Sequence, residues 1–164
     1  MANDGVKVID KGLNNILKQM DVLKLGKAAS VGVQGSEAGQ DHDGATNVLI
    51  GSVHEFGSST NPQRSHWRST FDENEKKYLK ELKAISKRVY DPRDSIRIEG
   101  DLLLLGETYK KDVIDKIKTK LKPPLTERTI EKKKGEDTPL IDSGEYINSF
   151  TAIVVGRNEI MDRG

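Results

Sequence analysis

Two apolar stripes at helical spacing, set on either side of one breaker, limit what this chain can fold into more than any other feature. Tyr78, Leu82, Ile85 and Val89 recur at steps of four and three within residues 70–91. Leu102, Leu105, Tyr109, Val113 and Ile117 do the same in a segment that starts near Ser95 or Asp101 and runs to Leu121. Thr70 is expected to cap the first helix, whose opening turn is acidic. Asp91-Pro92-Arg93-Asp94 divides the two, because proline cannot continue a helix and keeps its predecessor out of the helical region. The two stripes need a further surface to cover them.

Short strands are expected to supply that surface. Ala29, Val31 and Val33 alternate after Lys27, and Thr151 to Val155 forms a second run of strand-forming residues, reached through a short helix beginning at Ser143, with Asp142 or Ser143 as its cap. Residues 5–25 place Ile9, Leu13, Ile16, Met20 and Leu23 on a third helical stripe that stops at Gly26. Residues 46–57 predict a short helix capped by Thr46 and closed by Gly57, with Leu49, Val53 and Phe56 on one face. Residues 58–69 are expected to be extended, since Asn61 precedes a proline. Pro123-Pro124 stops the preceding helix, and a turn or two of helix and a lysine-rich loop follow. The fold class is therefore α+β, with two to three amphipathic helices packed on a small, mostly antiparallel sheet. Residues 1–164 read as a single domain with extended loops near 36–46, 57–70 and 122–142, ordered by partners.

Composition narrows the function. Hydrophobic residues make up 34% and charged residues 32% of 164, enough for a modest core only. The longest leucine run, residues 102–105, falls far short of the roughly 18 apolar residues of a membrane span. The first residues lack the charged start and apolar stretch of a secretion signal, so a soluble protein made in a cytoplasm, with no membrane partner, is expected. The absence of cysteine removes disulfides, thiolate metal sites and cysteine nucleophiles together. Net charge is +1, but residues 110–134 hold ten Lys/Arg against four Asp/Glu, a local excess of six. Such a cluster is either a solvated helical face or a surface for an acidic partner.

The chemistry-bearing side chains concentrate in residues 53–73, VHEFGSSTNPQRSHWRSTFDE, which carry two of the three histidines and the only tryptophan. His54-Glu55 begins like a zinc-protease motif but lacks the second histidine three positions after the Glu. Asp41-His42-Asp43-Gly44 begins like a calcium loop, but Ser52 stands where its closing glutamate belongs. There is no nucleophile elbow, and GVQGSEAG lacks the Lys-Ser/Thr of a phosphate loop. The lysines have no interleaved aromatic residues for base stacking. Neither an enzyme nor a metal or cofactor site is expected.

Three segments carry a resemblance. His54-Glu55-Phe56-Gly57 is followed by Pro62, Arg64, Trp67, Arg68 and Phe71; PPLTERTIEKKKG spans 123–135; and PLIDSGEYINSFTAIV spans 139–154. In this order and spacing, over roughly residues 28–155, the chain resembles the neck and tail-completion (virion morphogenesis, head–tail joining) proteins of tailed bacteriophages. Their segments read like IHEFGT…IPARPFLRPTFD, PPLSPxTIxxK and PLIDTGxLxxSIxxxV. The chain departs from that pattern in having Ser65-His66-Trp67 where Arg-Pro-Phe is common, and in a longer acidic loop at 36–46.

The resemblance implies a structural virion protein, assembled in the host cytoplasm. It would form a ring of about six copies that completes the tail end and joins it to the connector around the DNA exit channel. Implied partners are copies of itself, a head-side connector or stopper protein, the tail terminator and the tail tube, with DNA nearby. A tail-terminator or tail-tube-associated factor is the alternative, and a metal-binding module or enzyme using His54 and Glu55 a distant one. The expected protein contacts are His54, Glu55, Phe56, Gly57, Pro62, Arg64, Trp67, Arg68 and Phe71, with Pro124, Leu125 and Thr126 on the arm. Lys116, Lys118, Lys120, Lys122, Lys132, Lys133 and Lys134 are expected to line the DNA channel or face an acidic ring. His54 and Glu55 are expected to bind backbone groups or to pair with Arg64 or Arg68, fixing a turn, and Trp67 and Phe71 to anchor the strip on the core or on a neighbouring subunit.

Overall fold

The computed structural model describes residues 26–39, 41–42, 44–88, 95–119, 121–134, 137–141 and 144–156. The expected helix at 5–25, Val89, Lys120 and the caps Asp142 and Ser143 lie outside them. Strand β1 (Lys27–Val33) leads through a 3-10 turn (Gly35–Gly39) to a two-residue ladder of β2 (Asp41–His42) and β3 (Ala45–Thr46). Then come α1 (Asn47–Phe56), α2 (Trp67–Arg88), α3 (Ser95–Lys118), the short α4 (Glu127–Lys132) and α5 (Glu145–Asn148), and β4 (Phe150–Gly156). The stretch expected as a loop at 36–46 thus holds local structure. Gly44, at φ +88, makes the tight turn between β2 and β3 that a residue with a Cβ would resist.

The first and last strands close the fold. β1 and β4 pair antiparallel, from Lys27 opposite Gly156 to Val33 opposite Phe150. Their odd and even positions respectively face α3: an added Cβ on Gly106 would lie 3.2–3.5 Å from Ala152, Val31 and Ala29. Glycine therefore lets helix and sheet approach closely. The fold is a small α+β arrangement, as the periodicity predicts.

Two apolar clusters share α3. Its N-terminal half places Ile98, Leu102 and Leu105 against Tyr78 and Ile85 of α2. Its C-terminal half places Val113 and Ile117 with Leu121, Tyr146 and Phe150. Each fully buried aliphatic side chain contributes about 2 kcal/mol, so these two clusters dominate the stabilising side of folding. Leu82 departs from its stripe. It is 40% exposed, whereas Tyr78 and Ile85 on either side of it are buried.

Helix α1 is turned the other way from its apolar pattern. Thr46 caps it, accepting the Leu49 N–H at 3.2 Å, and Gly57 closes it at φ +79, both as predicted. Yet its buried residues are Asn47 and Glu55, while Val48, Leu49 and Phe56 are 46%, 51% and 70% exposed. The polar contacts of Asn47 and Glu55, with Ile50 packed against the second cluster, hold the inner side; Val53 is half-buried, and Val48, Leu49 and Phe56 meet solvent. Among the described residues, no helix is long and apolar enough to cross a membrane.

Candidate functional site

The 53–71 strip folds around one carboxylate. Glu55, in the last turn of α1, accepts the Ser65 hydroxyl at 2.6 Å and the backbone N–H groups of His66, Trp67 and Arg68 at 2.8, 2.9 and 3.1 Å. The latter two belong to the first turn of α2, whose N–H groups have no partner within the helix. A carboxylate there also meets the positive end of the helix dipole. Burial opposes ionisation of Glu55, but the Ser65 hydroxyl and the three N–H groups outweigh it and hold its pKa below the ordinary value. Thr70, the expected cap, lies inside the helix, buried, and donates to the His66 carbonyl at 2.6 Å. Helix α2 begins at Trp67, four residues before the start that a Thr70 cap would give, because Glu55 caps it from a distance.

A second chain of hydrogen bonds runs through His66, which is fully buried. Nδ1 lies 3.2 Å from the Arg64 carbonyl, which can only accept, so Nδ1 carries the proton and Nε2 accepts from the Tyr146 hydroxyl at 2.7 Å. The Trp67 indole N–H donates to the same hydroxyl at 3.4 Å. Desolvation lowers the His66 pKa despite the Arg64 carbonyl and the Glu55 charge, so the ring is neutral near pH 7. Burial raises that of Tyr146. The tyrosine hydroxyl would sit 2.6 Å from a Cβ on Gly51, so α1 needs glycine there.

Arg64 ties in the third segment. Its backbone N–H donates to the His54 carbonyl at 2.7 Å, and its Nε and Nη2 donate to the Pro123 and Pro124 carbonyls at 2.7 and 3.1 Å. Of the two expected arrangements the structure has the backbone one: Glu55 binds main-chain N–H groups, and Arg64, instead of pairing with it, takes two main-chain acceptors of the arm. A planar guanidinium fits this fork; an ammonium does not. The arm continues into α4, where Thr126 caps by accepting the Thr129 N–H at 3.4 Å.

The expected contact residues therefore divide. Glu55 and Arg64 are buried, with partners inside the chain, and Trp67 packs within the core, 4.6 Å from the Phe150 ring and 5.8 Å from that of Tyr109 between centroids. Arg68 bonds to Glu55 through its main chain only, and Gly57 is half-buried. Phe56, Pro62, Arg68, Phe71, Pro124 and Thr126 are exposed, and Leu125 half so. His54 is neutral: burial, then the charges of Arg64 and Lys133, lower its pKa to about 4. His66 and Tyr146 were missed by sequence reasoning. They lie 80 positions apart, and no local pattern announces their contact.

The lysines also divide. Lys116 pairs with Glu73 of α2, and Lys133 donates to the Thr138 and Ile141 carbonyls. Lys118, Lys122, Lys132 and Lys134 are exposed and, among the described residues, carry no salt bridge. Among the described residues there is no group of three His, Asp or Glu side chains that could hold a metal ion.

Between α1, the 60–64 loop and the arm lies a trench of about 810 Å³. No family model, no curated protein and no solved structure matches the chain.

Proposed function

We propose that this chain is a structural virion protein of the phage head–tail junction, a ring subunit that completes the tail end and joins it to the connector. The observation that supports this best is how the 53–71 strip spends its functional groups. Glu55 and His66 are committed to main-chain N–H and carbonyl groups and to hydroxyls, and Arg64 to two arm carbonyls. A general base needs a free lone pair within reach of a substrate proton; the Glu55 oxygens instead anchor a helix. The same joint leaves Val48, Leu49 and Phe56 facing outward on α1, with Pro124 and Leu125 beside the trench. Exposed apolar residues grouped on one element mark a protein contact. The exposed Lys118, Lys122, Lys132 and Lys134 supply a charged rim for DNA or an acidic ring.

Replacement of Phe56 by aspartate tests this reading, because the side chain is 70% exposed and the fold does not depend on it. The variant is expected to keep the thermal midpoint of the parent and to yield heads and tails that fail to join. Normal joining by a folded Phe56→Asp chain would count against α1 as the contact face.

A further inference from the structure

Helix α2 carries charge of two kinds. On the sides that adjoin α3 the charge is paired: Glu73 with Lys116, Lys77 with Asp112 at 2.6 Å, and Arg88 with Asp101 at 3.0 Å. Lys76, Lys80, Lys83 and Lys87 differ. At about 100° per residue they fall within roughly 60° of arc, opposite the buried Tyr78 and Ile85. All four are exposed, and among the described residues none of their ammonium groups has a salt bridge or a hydrogen bond. Glu75 and Glu81 lie on other sides of the helix, more than about 100° round from the centre of the row. With Leu79 and Ala84 the four lysines line a shallow groove of about 630 Å³.

The fold gains nothing from such a row. Like charges three and four positions apart weaken a helix, and these face away from the core. A row that costs the helix stability without contributing to packing points to an anion outside the chain. A protein surface fits poorly, because lysine is depleted from the cores of protein interfaces and no aromatic residue stands in the row to anchor one. A membrane surface fits poorly too, since the apolar stripe of this helix is spent on α3 and cannot insert.

The backbone of duplex DNA fits. It presents a line of negative charge, about one per 1.7 Å of axis. The row is a line of positive charge about 16 Å long at 1.5 Å per residue. Lysine meets phosphate as a point charge and in this role reads no base. We infer that α2 lays Lys76, Lys80, Lys83 and Lys87 along the phosphate backbone of duplex DNA and holds it without reading its sequence. Only the identity of that DNA, the genome leaving through the ring, rests on the head–tail reading.

The test is fluorescence anisotropy of a labelled duplex of about 20 base pairs and arbitrary sequence, titrated with the full chain between about 50 and 200 mM salt. Saturable binding that weakens as salt rises is expected. A chain carrying Lys80→Gln and Lys83→Gln should bind about tenfold more weakly at the lowest salt, and its slope of log affinity against log salt should be shallower by about two. Glutamine on an exposed helical face should leave the thermal midpoint in place. The charge-matched chain with Lys110→Gln and Lys111→Gln, changed on α3, should bind as the parent does, which separates the row from net charge. Absence of saturable binding, equal losses in the two double variants, or a slope that Lys80→Gln and Lys83→Gln leave unmoved overturns the inference. Equal affinity for polyglutamate of the same charge overturns it as well, and makes the row a docking face for acidic protein. Because binding is read on the unassembled chain, its failure leaves the ring proposal standing, and the absence of rings leaves a positive titration standing.

Discussion

Glu55 Oε2 accepts the backbone N–H of Trp67 at 2.9 Å, across twelve positions of sequence. Through this bond the end of α1 fixes the start of α2, and the ten residues between them are held as a closed loop rather than a free linker. The strip thereby joins the two helices.

Removal of that carboxylate should be costly. Glu55→Ala leaves three buried or part-buried N–H groups and the Ser65 hydroxyl without their acceptor, and a loss of about 3 kcal/mol in urea unfolding is expected. Glu55→Gln, which keeps the shape but loses the charge, should cost about half as much. A loss below 0.5 kcal/mol for Glu55→Ala would mean that α2 starts without its help.

Acid should weaken the fold in two windows. His54, and with it His66, has a folded pKa below its unfolded value, so the unfolded chain binds protons first and stability falls as pH drops from 6.5 toward 4. His54 accounts for roughly 2–3 kcal/mol across that window. Glu55, also lowered, acts in the same direction but only below about 4.5. In chemical denaturation at stepped pH, His54→Asn should flatten most of the slope between 6.5 and 4.5 and leave the lower window in place.

Much of this was legible and some was not. Periodicity announced α2 and α3, and Thr46 and Gly57 announced α1, because caps and stripes are local properties of the chain. The start of α2 was misplaced at Thr70 because its cap is tertiary. Likewise Leu49 and Phe56 share a helical face as predicted, but Asn47 and Glu55 turn that face outward, through partners ten to thirteen positions away. The contact between His66 and Tyr146 spans 80 positions and joins two residue types that are each unremarkable where they stand.

Two glycines should respond in opposite directions. Gly51→Ala drives a Cβ to 2.6 Å from a tyrosine hydroxyl that His66 and Trp67 hold in place, and a cost of about 2 kcal/mol is expected. Gly100, inside α3, has nothing within 4 Å of an added Cβ. Its alanine variant should gain about 0.5–1 kcal/mol from helix propensity. Calorimetric melting of the pair checks both signs.

Arg64 should govern the arm. Arg64→Lys loses the fork to Pro123 and Pro124, while the backbone bond to His54 survives. Trypsin should then cut after Arg128 and Lys132 about tenfold faster, with little change in the global unfolding midpoint. Unchanged cleavage would show that the arm is held by other contacts.

Electron cryo-microscopy of particles that carry the chain measures directly where it works. A closed ring of this fold between connector and tail, with Phe56 against neighbouring protein, is the predicted result. Particles complete without it, together with a small-molecule turnover that Glu55→Gln abolishes, would contradict the account.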